Sequence, residues 1–167
     1  MNSRYKVFTK QWLLDNNVDL IIDGQSTRNI DTKQLKKDFW NYKTLEVQQY
    51  SNKYKKWYPR KPISNTKIHS KGIKKKCTYY QIGISRRKQT TIGIPLHRIV
   101  YVWFNDIILP YNENEEKMEI CHNIRVPNDI ILDNHIKNLR WDTAKQNRAE
   151  RDGAINQYGR KKNDKAD

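Results

Sequence analysis

The chain has 167 residues and a mass of 20.1 kDa, with 33 Lys and Arg against 18 Asp and Glu, a formal net charge of +15 and a pI near 9.8. That length suits one domain, or one compact domain with an attached arm. Hydrophobic residues make up only 36% and the mean hydropathy is −1.03, yet 5 Trp and 10 Tyr exclude a wholly disordered basic chain.

The longest apolar stretches, around Ile99 to Phe104 and Ile107 to Leu109, fall far short of the roughly 20 residues a membrane span needs. No charged start followed by an apolar run marks a signal peptide. Two cysteines, Cys77 and Cys121, make neither a C-x-x-C pair nor a four-Cys zinc knot. Reduced thiols in a cytoplasmic compartment are expected, and no structural zinc. An excess of positive charge on this scale favours a polyanion partner. Charge alone does not separate DNA, RNA and an acidic membrane.

Residues 9–23 read as a short helix, with Trp12, Leu13, Leu14, Val18 and Ile21 partly periodic, followed by a turn at Asp23-Gly24. Asp31 or Thr32 is a candidate cap for a longer helix running to about Tyr58. Leu35, Phe39 and Tyr42 stand three and four apart, as do Val47, Tyr50, Tyr54 and Trp57. The stripe of Tyr50, Tyr54, Trp57 and Tyr58 reads as the buried face of that helix, with base stacking as the alternative. Residues 59–77 form a basic connector, either a solvated loop or a DNA-facing arm.

From Thr78 the period changes to two. Tyr80, Ile82 and Ile84 alternate, a basic turn carries Arg86, Arg87 and Lys88, and Ile92, Ile94 and Leu96 alternate again, which predicts a hairpin. Helical spacing follows from His97. Residues 105–117 read as an acidic, Asn-rich loop.

The segment 119–153 carries the chemistry. Residues 118–122 predict a short strand ending in His122, then a turn-rich loop, then a second strand over 138–142. Thr143 and Gln146 have the spacing of a capping box, so a helix should start at Ala144 and end near Asp152, before Gly153.

Residues 78–153 resemble the HNH endonucleases, the ββα-metal or His-Me finger family, and within it the phage and intron-homing branch. The resemblance rests on Leu96-His97-Arg98-Ile99-Val100 with Trp103-Phe104, on Cys121-His122-Asn123, and on Asn134, Asn138-Leu139-Arg140-Trp141, Asp142-Thr143 and Asn147. It implies a catalytic pair: His122 as the general base that takes a proton from the attacking water, and Asn138 as the residue that pins the loop and orients the His strand. It implies Asn147 as a ligand of Mg2+ or Mn2+. Cys121 stands where many homing members carry a second metal ligand, Asp, and a thiolate is a soft ligand ill suited to Mg2+.

His97, Arg98, Arg140, Arg148 and Arg151, with Arg86, Arg87 and Lys88 on the hairpin tip, are candidate DNA contacts. Trp141 is a candidate core residue, and His135 reads as a residue without a functional role, with a shifted match for the middle Asn position or an extra phosphate contact as the alternatives. The expected fold is α+β: a basic helical region and linker over 1–77, a β-hairpin and ββα-metal core over 78–153, and a basic tail over 154–167.

The expected activity is divalent-metal-dependent hydrolysis of double-stranded DNA, leaving 3′-hydroxyl and 5′-phosphate ends, by a monomer or homodimer. The residue types suit it, since a neutral imidazole accepts a proton at pH 7 and a hard cation on oxygen ligands stabilises the leaving oxygen. The alternatives are a restriction-type HNH enzyme, a non-catalytic nucleic-acid-binding module, and an RNA-binding basic protein. Binding through 6–10 phosphates would weaken roughly 10³–10⁵-fold between 50 and 200 mM salt.

Overall fold

The computed structural model describes residues 6–64, 67–68, 74–75 and 79–151. The protein is α+β. In chain order its elements are β1 (Phe8–Thr9), α1 (Lys10–Asp15), β2 (Val18–Ile22), β3 (Gln25–Ser26), α2 (Thr32–Asp38), β4 (Leu45–Ser51), β5 (Lys56–Pro59), β6 (Ile63–Ser64), β7 (Lys67–Ile68), β8 (Lys74–Lys75), β9 (Tyr80–Ile84) and β10 (Ile92–Pro95). They continue with α3 (Leu96–Asn105), β11 (Ile107–Ile108), β12 (Met118–His122), α4 (Ile130–Asp133), a 3-10 turn over Ile136–Asn138, β13 (Leu139–Thr143) and α5 (Ala144–Arg151).

The N-terminal region differs from its sequence reading. The helix expected over 9–23 stops at Asp15, and Val18–Ile22 is a strand. Asn17, at φ 60°, makes the turn between them, a conformation Asn tolerates better than most residues. The helix expected from 31 to 58 is only α2, capped as anticipated by Asp31, whose side chain accepts from Gln34 N at 2.8 Å. Beyond it the chain forms the β4–β5 hairpin. With β2 and β3 these strands make a four-stranded antiparallel sheet in the order β3-β2-β4-β5. The region is therefore mixed, not helical. Asp23-Gly24 does turn the chain, with Gly24 at φ 79°.

The elements expected from 80 onward are present. β9 and β10 pair antiparallel with Ile84 opposite Ile92, and β6 joins the other edge of β9. α3 follows directly and is the centre of the fold. Its Ile99, Val100, Val102, Trp103 and Phe104 are fully enclosed. One apolar core gathers Leu13, Leu20 and Leu35 from before the connector with Ile82, Ile99, Ile120 and Leu139 from after it. Trp103 Nε1 donates to Thr27 Oγ1 at 2.9 Å inside that core, so the indole's only polar group is satisfied where water is excluded. Among the described residues no helix is long and apolar enough to cross a membrane.

Candidate functional site

β12 and β13 pair antiparallel, Met118 opposite Thr143 through to His122 opposite Leu139, and α5 continues from β13. Thr143 Oγ1 accepts from Gln146 N at 3.1 Å, so half of the capping box forms; the Gln146 amide donates instead to Glu150 Oε1 at 3.2 Å. The expected stop at Gly153 lies outside the described residues, as do Cys77 and the 154–167 tail.

The loop between the strands is tied by Asn138. Its Oδ1 accepts from Ile124 N at 2.9 Å, and its Nδ2 donates to Ile124 O and Asp133 O, both at 2.7 Å. One side chain thus bonds to both Ile124 and Asp133 within the loop that leaves His122. Asp133 adds a second tie, its Oδ1 accepting from Val126 N at 2.8 Å.

His122 ends β12 with its side chain 3% exposed. Asn134 Oδ1 lies 3.0 Å from His122 Nε2, and Asn134 Nδ2 donates to Ile130 O at 2.9 Å. A carbonyl only accepts, so the second bond fixes which way the amide faces. Its oxygen must then accept from Nε2–H. On the other side of the ring, Arg125 NH1 stands 3.5 Å from Nδ1. A guanidinium only donates, so both neighbours select the tautomer with the proton on Nε2 and the lone pair on Nδ1. The Asp133 carboxylate is 3.7 Å behind Nε2 and pairs with Arg125 at 3.0 Å.

Burial pushes the His122 pKa below the ordinary histidine value; the nearby Arg125 charge works the same way, and the Asn134 bond and Asp133 oppose it. His97 packs edge-on against His122, ring centroids 4.7 Å apart, and Tyr79 lies 5.6 and 5.7 Å from the two rings with Arg125 over its face at 4.4 Å. Burial also holds His97 well below its usual range. Its Nδ1 is buried with no hydrogen-bond partner among the described residues. His97 is therefore a neighbour of the candidate base.

Asn147 sits in the second turn of α5, and its Nδ2 donates to Glu119 Oε2 at 2.7 Å. Side chains alternate along β12. Glu119 and Cys121 take the face toward α5, and Ile120 and His122 take the other. The structure brings His122 to Asn134, Arg125, His97 and Tyr79, and brings Asn147 to Glu119, on opposite faces of one strand.

Cys121 is buried, and burial pushes its thiol up to about 12, so it is a neutral thiol at pH 7. It does not fit a hard cation. Asn147 presents its Nδ2 to the Glu119 carboxylate; with the amide turned over, its Oδ1 and that carboxylate would be two hard oxygen donors that fit a cation whose shell is completed by phosphate and water. No three His, Cys, Asp or Glu side chains among the described residues group into a metal site.

The remaining expected DNA contacts divide. Arg87 and Lys88 are exposed on the β9–β10 tip, and Arg86 folds back to Thr90 O at 3.0 Å. Arg148 is exposed on α5, while the side chain of Arg151 lies outside the described residues. Arg98 lies over Phe8 at 5.2 Å. Arg140 is an internal tie, bonded to Asp142, Glu150, His122 O and Asn123 Oδ1. His135 stacks on Tyr42 at 3.9 Å and donates from Nε2 to Tyr42 O at 2.8 Å, so its part is structural. Trp141 is half-buried against the core, its Nε1 donating to Leu109 O.

Asn134, Asp133, Arg125, Tyr79 and Glu119 were given no role by sequence reasoning. Asn134 alone stood in the quoted motif, and its spacing from His122 was the available signal. Comparison of the chain with family models, with curated proteins and with solved structures gives no match.

Proposed function

We propose that the protein is a divalent-metal-dependent DNA endonuclease of the HNH type, with β12, β13 and α5 as a ββα-metal core and double-stranded DNA as substrate. The observation that carries the reading is the imidazole held by Asn134 with its lone pair on Nδ1. A base fixed in that tautomer is what proton abstraction from water requires.

In this mechanism the attacking water takes the place beside Nδ1 that Arg125 NH1 holds at 3.5 Å. The Arg125 side chain, 31% exposed, turns to the phosphate. Nδ1 receives the proton, and Asp133 and the Asn134 oxygen stabilise the imidazolium from behind Nε2. Asn138 keeps the loop closed and the ring in place. Asn147 and Glu119 are the residues that would hold Mg2+ or Mn2+, which when bound supplies positive charge to the phosphoryl group and the leaving 3′-oxygen. Product polarity and the homing or phage type come from the resemblance alone.

A second reading, a non-catalytic nucleic-acid-binding module, is favoured by one observation: Glu119 and His122 lie on opposite faces of β12, and the His122 side chain is almost enclosed. Supercoiled plasmid incubated with Mg2+, Mn2+ or EDTA separates the two. Metal-dependent nicking abolished by His122→Ala supports the nuclease, and binding without cutting under any divalent metal supports the module.

A further inference from the structure

The positive charge of this chain is concentrated in one stretch. Residues 47–105 contain fourteen of the 33 basic residues and none of the 18 acidic ones, and the remaining 19 and 18 nearly cancel. Two hairpins lie in that stretch, β4–β5 and β9–β10. Gln49 joins them, its Nε2 donating to Ser85 O at 2.8 Å and its Oε1 accepting from Ser85 N at 3.1 Å. Arg60 adds bonds to Gly83 O and Ser85 Oγ, both at 2.7 Å. The two hairpins are therefore tied to each other through Gly83 and Ser85, next to the β9–β10 tip.

On the β4–β5 ribbon the aromatic stripe is divided and lies in no helix: Tyr54 and Trp57 are displayed to solvent, and Tyr58 and Tyr50 are half-buried beside them. Tyr54 is 61% and Trp57 39% exposed, and Lys53, Lys55 and Lys56 around them are exposed as well. Lys53 lies over Tyr54 at 5.2 Å, Lys56 over Tyr58 at 4.8 Å and Arg28 over Trp57 at 5.5 Å. Large exposed rings set among cations, with no carboxylate in the stretch, complement a strand that offers both phosphates and uncovered base faces. A duplex keeps its base faces stacked inside, so rings of this kind gain nothing from intact double helix beyond contact with its backbone.

We propose that the β4–β5 ribbon is a binding site for single-stranded DNA, with Tyr54 and Trp57 stacking on unpaired bases and Lys53, Lys55, Lys56 and the Arg87-Lys88 tip holding phosphates. That the strand is DNA rests on the proposed nuclease reading; that it is unpaired rests on the exposed rings.

The test is fluorescence anisotropy of the full chain with labelled oligodeoxythymidine of about 16 nucleotides, a duplex of the same length and oligouridine, all in EDTA so that cleavage plays no part. Tyr54→Ala and Trp57→Ala should each weaken binding to the single strand by roughly 5- to 150-fold and leave duplex binding within about twofold. Tyr54→Phe and Trp57→Phe should retain it. Lys53→Ala should weaken both DNAs and flatten the salt dependence.

Unchanged affinity of the Ala variants for the single strand overturns the proposal. So does equal loss on duplex and single strand, or tighter binding of oligouridine than of oligodeoxythymidine. Because every arm is run in EDTA, a chain that never cuts DNA still passes or fails this test by itself.

Discussion

Asn134 Oδ1 accepts a hydrogen bond from His122 Nε2 at 3.0 Å, with the amide turned that way by its own donation to Ile130 O at 2.9 Å. This relay sets the proton inventory of the candidate site. Replacing Asn134 by Leu removes the acceptor and frees the ring to take the other tautomer. Cleavage should then fall in kcat with KM for DNA nearly unchanged, by up to the roughly 10²–10⁴-fold that a general base is worth. Steady-state plasmid nicking checks this split.

Replacing Asn134 by Asp should act in the opposite electrostatic sense. A carboxylate against Nε2 favours the imidazolium, so the acid limb of the rate profile should move to higher pH than in the wild type. In the wild type, burial and Arg125 hold His122 below its ordinary value. The base stays neutral further into acid, and the acid limb of kcat/KM should lie below the usual histidine pKa of about 6.5. A profile measured from acid to neutral pH tests both statements.

The same shifts link stability to pH. His97 and His122 both have pKa values lowered by folding, chiefly by burial. Below the unfolded value of about 6.5 the unfolded chain binds protons that the folded chain resists. The stabilisation from these two groups is therefore complete above that pH and is lost as the pH falls below it. Urea midpoints should drop between neutral pH and about pH 5, and the drop should shrink in His97→Phe.

Glu119 and Asn147 should govern the metal requirement. Glu119→Gln should raise the Mn2+ concentration needed for half-maximal nicking at least about tenfold, comparable with the loss of a metal-orienting partner. Cys121→Ser should leave it nearly unchanged, because the neutral thiol takes no part. A Mn2+ titration of nicking by the two variants compares them, and equal effects would remove Glu119 from the site.

Thr27→Val should destabilise without touching the candidate site. It orphans the Trp103 indole N–H in the core, at a cost of about 1–3 kcal/mol. Chemical denaturation measures it, and cleavage by the folded variant should be unaltered.

The second half of the fold was legible from sequence because its periods are clean. Ile82 and Ile84 against Ile92 and Ile94 alternate, and Ile99, Val100, Trp103 and Phe104 lie on one helical face. The first half was not. In β4 the buried positions are Val47 and Gln49, so a polar residue breaks the period-two signal, and Gln49 is buried only because Asn16 and Ser85 satisfy its amide. The β4–β5 turn has no Gly, with Lys55 adopting φ 53° in its place, and the rings at three- and four-residue spacing imitate a helix. The candidate base was legible from Cys121-His122 and its downstream Asn spacing. Its environment was not, because Arg125, Asp133 and Asn134 reach it through an irregular loop and Tyr79 and His97 through tertiary packing.

The most direct measurement is nicking of supercoiled plasmid by wild type and His122→Ala in Mg2+, Mn2+ or EDTA, with folding of the variant verified by circular dichroism. Metal-dependent nicking by the wild type, absent in EDTA and reduced roughly 10²–10⁴-fold or more in His122→Ala, is the predicted result. Equal nicking by the two proteins would contradict the assignment of His122 as the base.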